Sequence, residues 1–270
     1  MPLYVVATPI GNLEDITLRA LRTLHEADVI AAEDTRKTAL LLSHFDIKTP
    51  LTSYYEHNKL AKLDYLLGLA AVKDVALVSE AGMPGISDPG FELVREAAAR
   101  GISVVPIPGP SAVITALAAS GLPTDQFIYL GFLPRRASVR RSFLESVARE
   151  TRTLVAFEAP HRVSASLETI LQALGNRRIA ACRELTKLHE EIFRGTVQEA
   201  IAYFREPRGE FTIVIEGVTG EPESLSLEEI VGMLEACREQ GLGARESAAR
   251  VAEVSGFRRK ELYRLWLKQA

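Results

Sequence analysis

The feature that most constrains the fold is a set of four short apolar runs, each followed by a segment rich in glycine, proline or small polar residues. The runs lie at residues 3–7, 28–32, 75–79 and 103–107, and stretches with helical spacing of apolar residues separate them. Continuous apolar runs of this length are typical of buried parallel strands. The alternation therefore predicts an α/β fold with a parallel sheet and helices on both of its faces.

The same alternation restarts after Gly121-Leu122-Pro123, which predicts a second α/β domain with a mixed sheet. Its strands are expected near residues 127–132, 153–157, 178–182, 191–194 and 211–216. An acidic segment with Gly, Pro and Ser at 217–226 is typical of a linker. Three short helices are expected near 226–240, 244–254 and 258–268, and the last two resemble a helix-turn-helix. The predicted domains are therefore 1–121, 122–217 and a helical extension at 226–270.

Charge and cysteine content narrow the class of protein. The net charge of −3 gives no overall attraction to nucleic acid, so any basic surface must be local. The two cysteines, Cys182 and Cys237, are far apart and favour reduced thiols over a disulfide framework. No signal peptide or membrane span is evident, so a soluble cytoplasmic protein is expected.

The segments that follow the four runs predict a ligand site. They begin at Thr8-Pro-Ile-Gly-Asn, Glu33-Asp-Thr-Arg, Ser79-Glu-Ala-Gly and Pro108-Gly-Pro. Parallel α/β sheets bind ligands at the carboxyl ends of their strands, and glycine lets the backbone approach a ligand closely. Ordinary turn chemistry would explain any one of these segments, but four at one sheet edge favour a shared site.

The identity of the ligand is narrowed by absent motifs. The chain has neither a G-x-G-x-x-G fingerprint nor a P-loop, which disfavours dinucleotides and nucleoside triphosphates. Its five histidines lack metal-ligand spacing, so no metal is expected. A site lined by backbone groups suits a zwitterionic ligand without phosphate, such as S-adenosylmethionine, although the pattern does not show that identity.

Charged clusters supply the other candidate sites. Glu158, His161 and Arg162 follow a predicted strand, where they could bind a phosphate, place a carboxylate or cap the next helix. Residues 135–152 carry six arginines and two glutamates, and the tail from residue 243 carries seven basic and three acidic residues. Both clusters are expected to contact RNA backbone, with a solvated helix face as the alternative.

Several motifs together carry a family resemblance: Thr8-Pro-Ile-Gly-Asn-Leu-Glu-Asp-Ile-Thr, Glu33-Asp-Thr-Arg, Tyr55-Glu-His-Asn, Gly131-Phe-Leu-Pro-Arg, Phe157-Glu-Ala-Pro-His-Arg and Arg183-Glu-Leu-Thr-Lys-Leu-His-Glu-Glu. With them the chain resembles the small-subunit ribosomal RNA methyltransferase family within the tetrapyrrole (class III) methylase superfamily. The likeness runs from the start of the chain to about residue 217, and the C-terminal helices are also similar.

The resemblance implies an S-adenosylmethionine donor held in a cleft between two α/β domains. It also implies 2′-O-methylation of a cytidine in the decoding region of 16S ribosomal RNA, within the small ribosomal subunit, by a homodimer. The residues expected to bind the donor are Pro9, Gly11, Asn12, Ser79, Ala81, Gly82, Pro84, Asp88, Pro110, Ser111, Ala112, Leu133 and Thr212.

For catalysis, the hypothesis is that Asp34 or Glu33 accepts or orients the proton of the ribose hydroxyl. Arg36, Arg162 and Lys187 are expected to hold flanking phosphates, with His161 beside them. The alternative is that Glu33 and Asp34 only cap a helix. The residues expected to bind RNA are Arg135, Arg136, Arg140, Arg141, Arg258, Arg259 and Lys260.

The chain also departs from the family pattern. Glu80 and Met83 stand where the family usually has Asp and Thr, and Phe157 stands where it usually has Tyr. One rival hypothesis is a tetrapyrrole-type small-molecule methylase, but those proteins have a G-x-G-x-G-D first loop and lack the basic C-terminal helices. A non-enzymatic nucleic-acid-binding regulator is the other rival, and it leaves the four loops without a purpose.

Overall fold

The computed structural model of the 270-residue chain describes residues 1–218, 227–255 and 257–268. The chain divides into two compact units, Met1–Gly217 and Val218–Ala270. Both predicted sheets lie in the first unit. Most of the predicted linker, at 219–226, lies outside the described residues.

The first sheet has five parallel strands in the order β3-β2-β4-β1-β5. Its strands are β1 (Pro2–Val6), β2 (Val29–Ala32), β3 (Leu51–Ser53), β4 (Val75–Val78) and β5 (Ser103–Ile107). The helices between them are α1 (Leu18–Glu26), α2 (Thr35–His44), α3 (Lys59–Ala70) and α4 (Phe91–Ala99). Strand β3 was not predicted, because its three half-buried residues form no apolar run.

The central strand β4 is covered on both faces. Val75 and Leu77 pack into the cluster that contains residues of α3 and α4. Ala76 and Val78 pack into the cluster that contains residues of α1 and α2. Successive side chains of a strand point to opposite faces, so an all-apolar strand needs a helical layer on each side. This confirms the prediction of a parallel sheet between two helical layers.

The second sheet is mixed, as predicted, with the order β6-β7-β10-β8-β9. Strands β6 and β7 are parallel, and the remaining pairs are antiparallel. Its strands are β6 (Phe127–Phe132), β7 (Thr153–Glu158), β8 (Arg178–Arg183), β9 (Glu191–Thr196) and β10 (Phe211–Ile215). The helices of this half are α6 (Ala137–Ser146), α7 (Val163–Leu174) and α8 (Val197–Tyr203), and residues of all three join one core cluster.

The other face of the second sheet is covered by α5 (Ala112–Ser120), which comes before the predicted boundary at residue 121. Val113, Ala116 and Leu117 share an apolar cluster with Val155 of β7 and Val214 of β10. The helix therefore connects the two halves, since it follows β5 in the chain and packs on the second sheet. The division into domains at 121/122 stays a prediction.

The second unit consists of α9 (Leu227–Glu239), α10 (Ala244–Ser255) and α11 (Arg259–Lys268) in its described part. Ile230, Leu234, Val251 and Leu262 lie in its core. These bounds confirm the three predicted helices to within a residue or two. In the described part of the whole chain, no helix is both long and apolar enough to cross a membrane.

Candidate ligand-binding cleft

The loops at the carboxyl edge of the first sheet are held together by backbone hydrogen bonds. The Thr8 amide donates to the Gly82 carbonyl (2.9 Å), and the Gly82 amide donates back to the Thr8 carbonyl (3.0 Å). The Ala7 amide also donates to the carbonyl of Ile107 (3.1 Å). The loops after β1 and β4 are therefore tied to each other, and β1 is tied to the end of β5, before any ligand binds.

These loops open onto a cleft of about 370 Å³ that is lined by residues of both halves of the first unit. Six predicted donor residues line it: Ala81, Gly82, Asp88, Ser111, Ala112 and Thr212. Among the residues predicted for catalysis, Glu33 lines it. All four predicted loops contribute at least one lining residue, because Ile10 represents the loop after β1.

The other predicted donor residues do not line the cleft: Pro9, Gly11, Asn12, Ser79, Pro84, Pro110 and Leu133. Gly11 lies against the second half, where an added methyl group would come within 3.0 Å of the Leu185 carbonyl oxygen. Its role is thus to let the two halves approach closely. The Ser79 hydroxyl donates to the Ala81 carbonyl (3.2 Å) and so stabilises the loop after β4.

Sequence reasoning missed the apolar residues that line the cleft from the second sheet. Among them, Phe157 and Cys182 lie on either side of the predicted Thr212 in one row across β7, β10 and β8, because Thr212 pairs with both of them. Burial raises the pKa of the Cys182 thiol to about 11, so it acts as an apolar surface rather than a nucleophile. Strand register, rather than composition, would have found this row.

Carboxylates dominate the charge of the cleft. Glu33, Glu80, Asp88, Glu158 and Glu210 line it, and no Lys or Arg is among its described lining residues. Three of the five are paired with cations from outside the lining: Glu80 with Lys37, Glu210 with Lys187, and Glu158 with Arg162. Glu80, which stands where the family usually has Asp, therefore keeps the negative charge and pairs it with Lys37.

The remaining two carboxyl groups, those of Glu33 and Asp88, have raised pKa values. Burial, with the charge of Glu33 next, raises the pKa of Asp88 from 3.8 to about 7. Burial is also the main cause of the raised pKa of Glu33, whose carboxylate accepts the Glu80 amide (3.2 Å). A carboxyl group with a pKa near neutrality can accept or release a proton at physiological pH.

Asp34 has a different position. Its carboxylate accepts hydrogen bonds from the amides of Arg36 (2.8 Å) and Lys37 (3.1 Å), and it caps α2. These two amides, that of Lys37 first, lower its pKa. The structure thus supports helix capping for Asp34, which was the alternative at the sequence level, whereas Glu33 faces the cleft.

The four other residues predicted for catalysis are not gathered at the cleft surface. Arg36 and His161 are exposed. The Lys187 ammonium lies 2.9 Å from both Glu184 and Glu210. Arg162 pairs with the fully buried Glu158 and donates to the Leu133 carbonyl (3.0 Å). Arg162 and Lys187 are therefore held by protein carboxylates.

The predicted RNA-binding residues of the first unit differ in exposure. Arg135 and Arg136 are exposed just before α6, and Arg141 is exposed while pairing with Glu145. Arg140, in contrast, is 5% exposed and donates to the Thr169 hydroxyl and the Ala165 carbonyl. We remove Arg140 from the predicted set, because its guanidinium holds α6 to α7.

In the second unit, Arg258, Arg259 and Lys260 are exposed around the start of α11.

Leu133 of the first unit, predicted as a donor contact, is also corrected: its side chain is 1% exposed and lies in the core of the second sheet. Its neighbour Phe132 takes the position in the cleft.

Comparison with known proteins identifies the family. A model of the tetrapyrrole (corrin/porphyrin) methylases matches residues 2–201. The chain is 49% identical to "Ribosomal RNA small subunit methyltransferase I" of Halalkalibacterium halodurans, over 98% of this chain and 94% of that protein. It is 48% identical to the protein of the same name from Synechocystis, over 98% and 97%.

A solved structure shares the fold. The uroporphyrin-III-C-methyltransferase of Thermus thermophilus aligns with a TM-score of 0.56 and 21% identity, over 80% of this chain and 94% of that one. The chain therefore belongs to the tetrapyrrole methylases and, within them, to the family of ribosomal RNA small subunit methyltransferase I.

Proposed function

We propose that this chain transfers the methyl group of S-adenosylmethionine to the 2′-oxygen of a cytidine in the decoding region of 16S ribosomal RNA. The substrate would be the small ribosomal subunit in the cytoplasm, and the enzyme would act as a homodimer. The names of its relatives support the RNA substrate. The observation that carries the chemistry is the pair Glu33 and Asp88, two cleft carboxyls with raised pKa values.

The cleft fits the proposed donor in size and charge. A volume of about 370 Å³ lies within the range of small-molecule sites. S-adenosylmethionine carries a methyl group on a positively charged sulfur, which a nucleophile can accept without a metal. The carboxylate-rich lining favours such a cation. Ala81, Gly82, Ser111, Ala112 and Thr212 would hold the donor, since they line the cleft where the loops meet.

For the acceptor, the chain must handle a proton. A ribose hydroxyl is a weak nucleophile at neutral pH, so a nearby base would assist it. Asp88 suits this role best, because its pKa near 7 matches the pH at which the reaction must run. Glu33 contributes by raising that pKa through its charge. We therefore assign proton acceptance to Asp88 rather than to Asp34.

RNA would be held outside the cleft by exposed cations. Arg135 and Arg136 lie three and four residues beyond Phe132, the last residue of β6. In the second unit, Lys260 is exposed on α11. Such side chains bind phosphate oxygens without reading sequence. The choice of nucleotide must therefore depend on the shape of the subunit and on contacts near the cleft.

The direct test is mass spectrometry of ribosomal RNA nucleosides from cells with and without this protein. Loss of one 2′-O-methylcytidine from small-subunit RNA, restored by the gene, is the expected result. Purified chain should then transfer the labelled methyl group to small subunits from the deficient cells. A labelled tetrapyrrole with unlabelled RNA would instead favour the rival methylase, and failure to bind the donor would favour the regulator.

The affinity for the donor should depend on pH through Asp88. Above pH 7 the carboxylate is charged and attracts the positive sulfur, whereas below pH 7 it is neutral. S-adenosylhomocysteine has the same amino-acid and nucleoside parts but a neutral sulfur. The Kd of S-adenosylhomocysteine divided by the Kd of S-adenosylmethionine, measured by calorimetry from pH 5.5 to 8.5, should therefore rise with pH.

Asp88→Asn is the control for this prediction, because it removes the titrating group and keeps the shape. Its ratio of dissociation constants should stay flat across the same range. A wild-type ratio that does not change with pH, or an unchanged slope in Asp88→Asn, would contradict the proposed contact between Asp88 and the donor sulfur.

A further inference from the structure

The pairing of β6 with β7 is interrupted by a bulge just before the cleft. Tyr129 pairs with Val155, but Gly131 rather than Leu130 pairs with Ala156. Gly131 has φ +70°, a conformation that glycine adopts without strain. An extra residue in one strand re-aims the side chains that follow it. Beyond the bulge, Phe132 lines the cleft.

Phe132 is exposed to an unusual degree for an aromatic residue in a strand. Its side chain is 58% exposed although it lines the cleft, and the next residue, Leu133, is 1% exposed. Its ring is 5.4 Å from the ring of Phe157 in an edge-to-face arrangement, and Phe157 contacts Tyr129 in the same way at 5.3 Å. The ring is thus supported on one side and open to solvent on another.

The surroundings of Phe132 combine apolar and basic groups. Ile86, from the loop after β4 in the first half, lines the same cleft and is 50% exposed. Arg135 and Arg136, both exposed, follow Phe132 along the chain. An exposed aromatic ring close in sequence to arginines is the combination by which proteins bind unpaired nucleotides, with the ring under the base and the cations at phosphates.

We propose that Phe132 is the stacking platform for the base of the nucleotide to be methylated, an inference that rests on the proposed RNA methyltransferase function. In a ribonucleotide the 2′-oxygen and the base are attached to adjacent ribose carbons. A 2′-oxygen that reaches Asp88 inside the cleft therefore brings its base to the cleft surface. Among the described lining residues, Phe132 and Ile86 are the large hydrophobic side chains that are exposed.

The test compares Phe132→Ala and Phe132→Trp with a control, Tyr65→Ala. Tyr65 is 54% exposed on α3 and does not line the cleft. Methyl transfer is measured on small ribosomal subunits from cells that lack the protein. Phe132→Ala should lower kcat/KM for the subunit by about 5- to 150-fold, the range measured for loss of a base–aromatic stack. Phe132→Trp should retain activity within about 3-fold, because tryptophan also stacks, and Tyr65→Ala should match wild type.

Two binding measurements separate this role from others. The Kd for S-adenosylmethionine should change less than about 2-fold in Phe132→Ala, since base stacking is a contact to RNA. The Kd for a fluorescent cytidine-containing oligoribonucleotide should rise. A matched loss of donor affinity without a loss of RNA affinity would overturn the proposal and place Phe132 in the donor site. Wild-type kcat/KM and RNA affinity in Phe132→Ala would overturn it as well.

The same binding data distinguish this proposal from the proposed function. If the wild-type chain binds the oligoribonucleotide through Phe132 but methylates no small subunit, the stacking site is retained and the methylation proposal fails. If the wild-type chain methylates the subunit and Phe132→Ala does so equally well, the methylation proposal is retained and the stacking proposal fails.

Discussion

Asp88→Asn is expected to lower kcat for methyl transfer by about 100-fold or more, the usual contribution of a positioned general base. Asparagine keeps the size of the side chain but cannot accept the proton of the ribose hydroxyl. The carboxyl group is well suited to that proton. The positive charge of the bound donor would lower the pKa of Asp88. After methyl transfer the sulfur is neutral, so burial and the charge of Glu33 raise the pKa of Asp88 again, and the carboxylate accepts the proton more readily.

Single-turnover measurement with saturating donor and small subunits would test this prediction. The matched control is Asp34→Asn, which changes the carboxylate next to Glu33 in the chain, a side chain that caps α2 and does not line the cleft. It should leave kcat within a few-fold of wild type. Equal losses in the two variants would contradict the assignment of the base to Asp88, and full activity in Asp88→Asn would exclude it.

The same variant has a pH-dependent effect on stability. Because the folded state raises the pKa of Asp88 from 3.8 to about 7, the folded chain holds this proton more tightly than the unfolded chain. The resulting stability is complete below pH 3.8 and is lost as the pH rises through about 7. In urea denaturation, Asp88→Asn should therefore be more stable than wild type at pH 8, and the difference should shrink toward pH 4.

Arg162→Ala is expected to destabilise the first unit by about 3–5 kcal/mol, the usual result of removing one partner of a buried ion pair. Glu158 is fully buried, and its carboxylate also accepts the Ala159 amide (2.8 Å) and the Ser166 hydroxyl. Without Arg162, this charge would stay buried without its counterion. The free energy of unfolding, measured by urea denaturation with a probe in the first unit, should show the loss.

The control for Arg162→Ala is Arg100→Ala, which breaks a pair with Asp64 at 2.7 Å in which both side chains are exposed. Exposed pairs contribute about 0–1 kcal/mol, so this variant should be nearly as stable as wild type. A stable Arg162→Ala that has lost affinity for small subunits would instead favour the phosphate-binding role predicted from the sequence.

Much of the fold could be predicted from the sequence because burial on both faces leaves a plain signal. The run Val75–Val78 has no polar residue, so it can only be a strand covered on each side. The packing of α5 on the second sheet could not be predicted, since periodicity does not say which sheet a helix meets. One clue was present: Ala112–Ser120 is apolar almost all around, as expected of a helix buried on more than one face.

The site was predictable where backbone-rich loops formed it and unpredictable where register or distance decided it. Gly82 and Ser111 belong to loops that any parallel sheet brings together. Phe132 faces the cleft after a one-residue bulge at Gly131, which composition does not reveal. The raised pKa of Asp88 depends first on its burial and then on its approach to Glu33, a residue distant in sequence.

The position of α5 has a consequence for any attempt to study the two halves separately. A fragment that started at Leu122 would keep all five strands of the second sheet but lose the helix that shields Val155, Cys182 and Val214. Those side chains would form a solvent-exposed apolar surface, and the fragment should aggregate rather than fold. A boundary placed just before Ser111 would instead keep α5 with the second sheet and α1 to α4 with the first.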